Sequence, residues 1–128
     1  MLKQTITYED FNGNQIIEDF YFNLTKAEVM EMEFSEKEGL AKKLNDIIES
    51  SDRKQIIETF KEIILSSYGV KSEDGKRFIK NDELREAFAQ SNAFSELFMK
   101  LSTEADAAAA FVNAVIPSMP TTETKHVQ

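Results

Sequence analysis

Apolar residues recur at helical spacing across residues 53–68. Ile56, Ile57, Phe60, Ile63, Ile64 and Tyr68 make one broad stripe, and Lys54, Glu58, Lys61 and Glu62 fall mainly away from it. The pattern predicts an amphipathic helix, capped by Asp52 and ended by Gly69 in a left-handed conformation. Such a helix is not stable alone in water, so the rest of the chain must cover its stripe.

Residues 2–22 alternate instead, which predicts a β-hairpin around Phe11-Asn12-Gly13-Asn14. Two registers are open. A two-residue Asn12-Gly13 loop pairs odd positions with even ones and puts Phe20 on the face of Thr5 and Thr7. A three-residue loop, Phe11 through Gly13, pairs even with even. It gathers Leu2, Ile6, Tyr8, Ile16, Phe20 and Phe22 on one face and gives Gly13 the left-handed position. The second register is preferred, although it leaves Gln4 and Glu18 as misfits on the apolar face. A lone hairpin is marginal, so this face must cover helices or a partner.

The remaining pattern is helical. Thr25 and Glu28 have capping-box spacing and open a helix with Val29, Met32 and Phe34 on its apolar side. Ser35 and Glu38 repeat that spacing before a helix over residues 36–50, whose face carries Leu40, Leu44, Ile47 and Ile48. Residues 70–79 read as either a tight hairpin or an irregular loop, with Asp74-Gly75 at its pivot. Asn81 caps a helix with Leu84, Ala87 and Phe88 inward. Ser91 caps the next, with Ala93, Phe94, Leu97, Phe98 and Leu101 as a stripe and Met99 also assigned to the core. Thr103 is placed at the start of the last helix, which Pro117 stops. The expected fold class is α+β: an N-terminal β-hairpin packed on a bundle of about five to six mostly short helices. The hairpin spans residues 2–22 and the helical part 25–116, within one compact domain over 1–117; a flexible polar tail follows over 118–128.

Composition narrows the classes of function. The 128 residues carry 15 basic and 23 acidic side chains, a net charge of −8. The densest basic group, Lys71, Lys76, Arg77 and Lys80, is interleaved with Glu73, Asp74 and Asp82, so neither nucleic acid nor an anionic membrane is an expected partner. There is no cysteine, which excludes disulfides, thiolate catalysis and cysteine-ligated metals. No apolar run approaches the roughly 20 residues that span a bilayer. The N-terminal alternation is unlike a signal peptide, and an intracellular setting is expected.

Candidate chemistry is sparse. The single histidine, His126, lies in the tail, so no Ser-His-Asp or Cys-His arrangement has a base. The Glu28, Glu31, Glu33 cluster and the Glu36, Glu38 pair are read as solvated helix faces rather than Mg²⁺ sites. Ser72-Glu73-Asp74-Gly75 bears a faint likeness to a calcium loop but lacks the alternating acidic positions and distal glutamate. No cofactor is expected, and the chain is not expected to be an enzyme. Consecutive strand residues face opposite ways, so Phe20-Tyr21-Phe22 is not buried whole. Tyr21 falls on the polar face with Ile17, and these two residues are the candidate partner-binding spot.

The runs Asp10-Phe11-Asn12-Gly13-Asn14 and Glu18-Asp19-Phe20-Tyr21-Phe22-Asn23-Leu24-Thr25-Lys26-Ala27-Glu28 resemble the tail assembly chaperones of long-tailed, siphovirus-type phages and prophages of Gram-positive bacteria. So do Ser67-Tyr68-Gly69-Val70-Lys71-Ser72-Glu73-Asp74-Gly75-Lys76-Arg77-Phe78-Ile79-Lys80 and Ala105-Asp106-Ala107-Ala108-Ala109-Ala110-Phe111, and the likeness covers about residues 1–117. The resemblance implies a small acidic, non-enzymatic protein in the cytoplasm of the bacterial host. It implies binding to the tail tube protein and the tape measure protein during virion morphogenesis, and absence from the finished particle. Many members exist in two forms, the longer made by a translational frameshift. The family has no catalytic residues to transfer. Self-association stands beside client binding as an open alternative. The rival readings are a structural tail or connector protein retained in the virion, and a small regulatory binding module.

Overall fold

The computed structural model describes residues 1–35 and 53–117. The helix expected over residues 36–50, the cap at Asp52 and the tail over 118–128 lie outside the described residues, as do the side-chain placements expected for Met32 and Phe34.

Strands β1 (Leu2–Glu9) and β2 (Gln15–Phe22) form the expected hairpin. Leu2 lies opposite Phe22, Gln4 opposite Phe20, Ile6 opposite Glu18 and Tyr8 opposite Ile16, which is the even-with-even register. The three-residue loop is closed by the Asp10 N–H donating to the Asn14 carbonyl at 2.9 Å. Gly13 adopts φ 84°, and its N–H donates to the Asp10 carbonyl at 3.1 Å. The N–H groups of Asn14 and Asn12 also donate to the Asp10 carboxylate, both at 2.9 Å. These bonds, Asn14 foremost, hold that carboxyl below its ordinary range. The hairpin loop is therefore pinned by one aspartate as well as by its glycine. The two misfits of the apolar face also find places: Glu18 accepts the Tyr8 hydroxyl at 2.6 Å, and Gln4 borders a surface groove.

Helix α1 (Lys26–Ser35) opens with the capping box. The Glu28 N–H donates to Thr25 Oγ1 at 3.1 Å, and the Thr25 N–H donates to Glu28 Oε1 at 2.8 Å. Helix α2 (Arg53–Ser67) buries Phe60, Ile63 and Ile64. It departs from expectation at both ends of its stripe. No residue before Thr59 is buried on α2, and Ile57 is 41% exposed, so the fully buried part of the stripe is confined to the later turns.

At the other end, Tyr68 leaves the helix and starts strand β3 (Tyr68–Lys71), which a short β4 (Phe78–Ile79) joins. Phe22 pairs with Tyr68 and Tyr21 with Gly69, so the hairpin becomes part of a four-stranded antiparallel sheet in the order β1-β2-β3-β4. Gly69 is thus a strand residue rather than a left-handed helix end; among the described residues the positive-φ glycines are Gly13 and Gly75. Its requirement is space. A Cβ on Gly69 would sit 2.7 Å from Phe78 Cε2 and 2.9 Å from the Ile79 carbonyl oxygen. Residues 70–79 resolve as a hairpin, with Val70 opposite Ile79 and Lys71 opposite Phe78.

Helices α3 (Asp82–Ala89), α4 (Asn92–Thr103) and α5 (Ala105–Val115) complete the helical part; among the described residues there are five helices. Asn81 and Ser91 cap α3 and α4 as their positions predict, through the N–H groups of Leu84 and Phe94. Thr103 does not cap the last helix. It is the final residue of α4, and its hydroxyl donates back to the Met99 carbonyl at 2.8 Å. Glu104 takes the cap position of α5 without a side-chain bond, and Asp106 lies in the first turn, where a negative charge is favourable. Met99 is 56% exposed rather than core, because it lies two residues from both buried Leu97 and buried Leu101, on the other side of the helix.

The core forms where the even face of the sheet meets the helices. Phe22, Leu24, Ile63, Ile64 and Val115 are almost completely buried there. Phe88 stacks on Tyr68 at 4.4 Å and lies 5.2 Å from Phe20, and Phe22 meets Phe111 edge-on at 5.3 Å. The joint after β2 ties distant parts together: the Asn23 N–H donates to the Ser67 carbonyl at 2.8 Å, and the Leu24 N–H to the Val115 carbonyl at 3.0 Å. Beside it, the mostly buried Lys80 ammonium donates to the carbonyls of Asn23 and Ser66 and to Glu28 Oε2, at 2.8, 2.9 and 2.8 Å. Burial alone would raise the Glu28 pKa, but the Lys80 bond and charge and the Thr25 bonds outweigh it and hold it below the ordinary 4.5.

Two expectations follow. Gly69→Ala destabilises the fold by about 1–3 kcal/mol through overpacking against Phe78 and Ile79, whereas Gly13→Ala costs about 1 kcal/mol through backbone strain alone. Urea unfolding measures both, and a smaller cost for Gly69→Ala than for Gly13→Ala would contradict the close approach at Gly69. Lys80→Met leaves two carbonyls without their donor and costs about 2–3 kcal/mol. Because the Glu28 pKa is depressed in the fold, its contribution is complete above its ordinary value and is lost as pH falls through the lower folded value. The stability gap between wild type and Lys80→Met therefore narrows in acid, as paired denaturation curves at neutral and acidic pH will show.

Candidate partner-binding surfaces

The described helices cover one face of the sheet, and the alternation of each strand turns its other residues to the opposite face. Ile17 and Tyr21 both lie on this outer face, but not as one apolar spot, since Asp19 stands between them. Ile17 is 73% exposed. Tyr21 is half-buried: Gly69 is its neighbour on β3, and the Lys71 ammonium lies 5.9 Å from its ring centre. Asp19 accepts the Thr5 hydroxyl at 2.6 Å, so the polar part of this face is cross-linked between strands. Phe11, at the tip of the hairpin loop, is 78% exposed and adds a second apolar point beyond the end of β2.

A different surface runs along the free edge of β1. Among the described residues no strand pairs with that edge. Asp10 and Asn14 form the hydrogen-bonded pair that closes the loop. Alternation from there points the backbone groups of the even residues into the ladder with β2, and those of Lys3, Thr5, Thr7 and Glu9 outward. The outward Glu9 carbonyl accepts from Asn92 Nδ2 at 2.9 Å, which fixes the start of α4 at one end of the edge. Between β1 and α4 lies an open groove of about 430 Å³, bordered by Thr5, Thr7, Glu96, Met99, Lys100 and Thr103.

Ile17 and Tyr21 are legible in the sequence because strand alternation alone assigns their face. The groove is not, because which strand ends the sheet and which helix overhangs it are tertiary facts. The one local signal is a long β1 with an outward row of Lys3, Thr5, Thr7 and Glu9.

The charged turn between β3 and β4 is self-contained. The Ser72 hydroxyl donates to Asp74 Oδ1 at 2.7 Å, and the Lys76 N–H donates to the same oxygen at 3.0 Å. These bonds, the Lys76 N–H first, hold the Asp74 carboxyl below its ordinary range. The Arg77 N–H donates to Ser72 Oγ at 3.0 Å. These groups are occupied within the turn that joins β3 to β4. At the outer end of the hairpin, the bond to Glu18 pushes the Tyr8 hydroxyl up to about 12, helped by burial and by the charges of Glu18 and Asp10. Tyr8 therefore stays a neutral hydrogen-bond donor through the physiological range. Among the described residues no group of three or more His, Cys, Asp or Glu is placed to hold a metal ion, and no helix is long and apolar enough to cross a membrane.

The surfaces of the described residues thus include an outer sheet face with separate apolar points and an unpaired strand edge beside an overhanging helix, and both are of a kind that proteins use to contact one another. No curated protein and no solved structure gives a significant match to this chain. A family model described as phage tail assembly chaperone matches residues 1–126, nearly the whole chain. On that match, the chain belongs to the phage tail assembly chaperone family.

Proposed function

We propose that this protein is a non-enzymatic chaperone that binds the tail tube protein, the tape measure protein or both during virion morphogenesis. In this reading it acts in the cytoplasm of the bacterial host of a long-tailed phage or prophage, and it leaves before the particle is finished. The observation that carries the reading is the family match over residues 1–126. The shape of the surface supports it. A chaperone for subunits that polymerise must shield apolar surface or strand edges until assembly begins, and it must release them afterwards. Exposed apolar side chains such as Ile17 and Phe11, with charged and polar residues around them, suit contacts that are made and broken. The net charge of −8 keeps such a protein soluble while it presents them.

Ile17 and Tyr21 are the proposed contact points for the client. Ile17 offers an open apolar side chain, and the amphipathic Tyr21 ring is held in place by Lys71. On co-expression with the tail tube protein of the same phage, the wild-type chain keeps the tube protein soluble. Ile17→Asp weakens that client binding by about tenfold and leaves unfolding stability within about 0.5 kcal/mol of wild type, since the side chain is exposed. Unchanged binding by Ile17→Asp, with the fold intact, removes this face from the reading. Mass spectrometry of purified particles tests the chaperone role itself: abundant copies in the finished virion would favour a structural tail protein instead.

A further inference from the structure

We propose that the free edge of β1 pairs with β1 of a second copy of this chain, joining two sheets into one across a two-fold axis. The proposal concerns the chain alone and goes beyond client binding.

The argument begins with the charges on the outward row. Lys3 and Glu9 stand near opposite ends of β1 and are both exposed. Neither has an ion-pair partner among the described residues. Their neighbours across the hairpin, Tyr21 and Gln15, are uncharged. An antiparallel partner strand can answer both charges at once, provided that it carries the reverse order. A second copy of β1, turned by a two-fold axis, does so. In the register that sets Lys3 opposite Glu9, Thr5 falls opposite Thr7 and Ile6 lies on the axis. Opposite charges and paired threonines are both favourable cross-strand neighbours. Shifting the copies by two residues either way removes the Lys3–Glu9 match, so the charge pattern selects one register.

The backbone agrees with that register. Thr5 and Thr7 both direct their N–H and C=O groups outward, and facing each other they form hydrogen-bonded pairs. The Glu9 carbonyl already accepts from Asn92, but a carbonyl oxygen has a second acceptor site for the partner's Lys3 N–H. The groove beside the edge agrees as well. A two-fold axis normal to the sheet puts both copies of α4 on the same face, flanking the join. Their facing sides then carry Met99, exposed at 56%, with Glu96 and Lys100 beside it. An unpaired edge of eight residues is a liability for a soluble protein unless something covers it, and here β1 has eight residues and, among the described residues, no strand paired on that side.

The test uses the purified full-length chain without any phage protein, so its failure and a failure of client binding are separate results. Sedimentation equilibrium of the wild type is expected to show a reversible dimer. Lys3→Glu alone and Glu9→Lys alone each set like charges opposite each other twice and weaken the dimer by about tenfold. An equimolar mixture of these two variants recovers near-wild-type association, because the Lys3→Glu chain then faces only lysines on the Glu9→Lys chain. Thr7→Pro removes an outward N–H while leaving the ladder to β2, and it yields a monomer with wild-type circular dichroism. Should the proline variant fail to fold, the charge variants and their mixture still decide the matter. A wild type that stays monomeric into the high-micromolar range overturns the proposal and leaves the edge to a strand from another protein. So does a dimer indifferent to both charge reversals, which would place the contact elsewhere.

Discussion

Everything described here leans on the burial of Phe22. It is the last residue of β2, it is fully buried, and it is where the hairpin, β3 and the helices meet. Tyr68 pairs with it across the ladder, Phe111 meets it edge-on from α5, and Phe88 approaches it from α3 at 5.8 Å. An aromatic ring buries a large area, and tilted or edge-on neighbours suit its charge distribution. Removing this ring would open a cavity bordered by three separate elements. The cluster also explains why the chain leaves helix α2 at Tyr68. In a strand, Tyr68 stacks on Phe88 and continues the ladder from Phe22. Gly69 follows because no larger residue fits beneath Phe78.

Burial at this junction creates a polar problem, which Lys80 answers. The chain turns out of β2 at Asn23 and out of α2 at Ser66 and Ser67, so carbonyl groups are left facing inward. A single ammonium has three donors, and here they go to two of those carbonyls and to Glu28. Glu28 is in turn held by the capping box of α1. The start of α1, the end of β2, the end of α2 and the end of β4 are thereby linked through one side chain. An apolar residue of similar length would fill the space but leave the carbonyls unpaired.

The same arrangement decides what the molecule can offer to others. Among the described residues the helical cover lies on one side, and the outer sheet face carries Thr5, Asp19, Ile17 and Tyr21. The order β1-β2-β3-β4 also leaves the long β1 at the margin and puts a strand of only two residues at the other end. Membership in the tail assembly chaperone family gives such surfaces a context, since proteins of this kind work by contact with other proteins. The side chains of Ser72 and Asp74, in the turn with a faint likeness to a calcium loop, are bonded to each other.

Short-range rules account for much of the fold. The alternation of residues 2–22, with Gly13 able to take positive φ, was enough to select the hairpin register. The caps at Thr25, Asn81 and Ser91 lie where side-chain oxygens can reach the first free N–H groups of a helix. The outward placement of Ile17 and Tyr21 follows from the two-residue period of a strand. What the sequence left undecided was where each pattern stops and which parts meet. Tyr68 continues the period of α2, yet the ladder offered by Phe22 and the ring of Phe88 draw it into a strand. Thr103 has the spacing of a cap but ends the preceding helix. Ile57 and Met99 look like core until the limits of the covering elements are known. The free edge of β1 beside α4 exists only because β3 joins β2 on its other side. Periodicity and capping depend on neighbours a few residues away and can be read from the chain, whereas edges, grooves and the ends of competing elements depend on partners far along it, and only the tertiary structure supplies those.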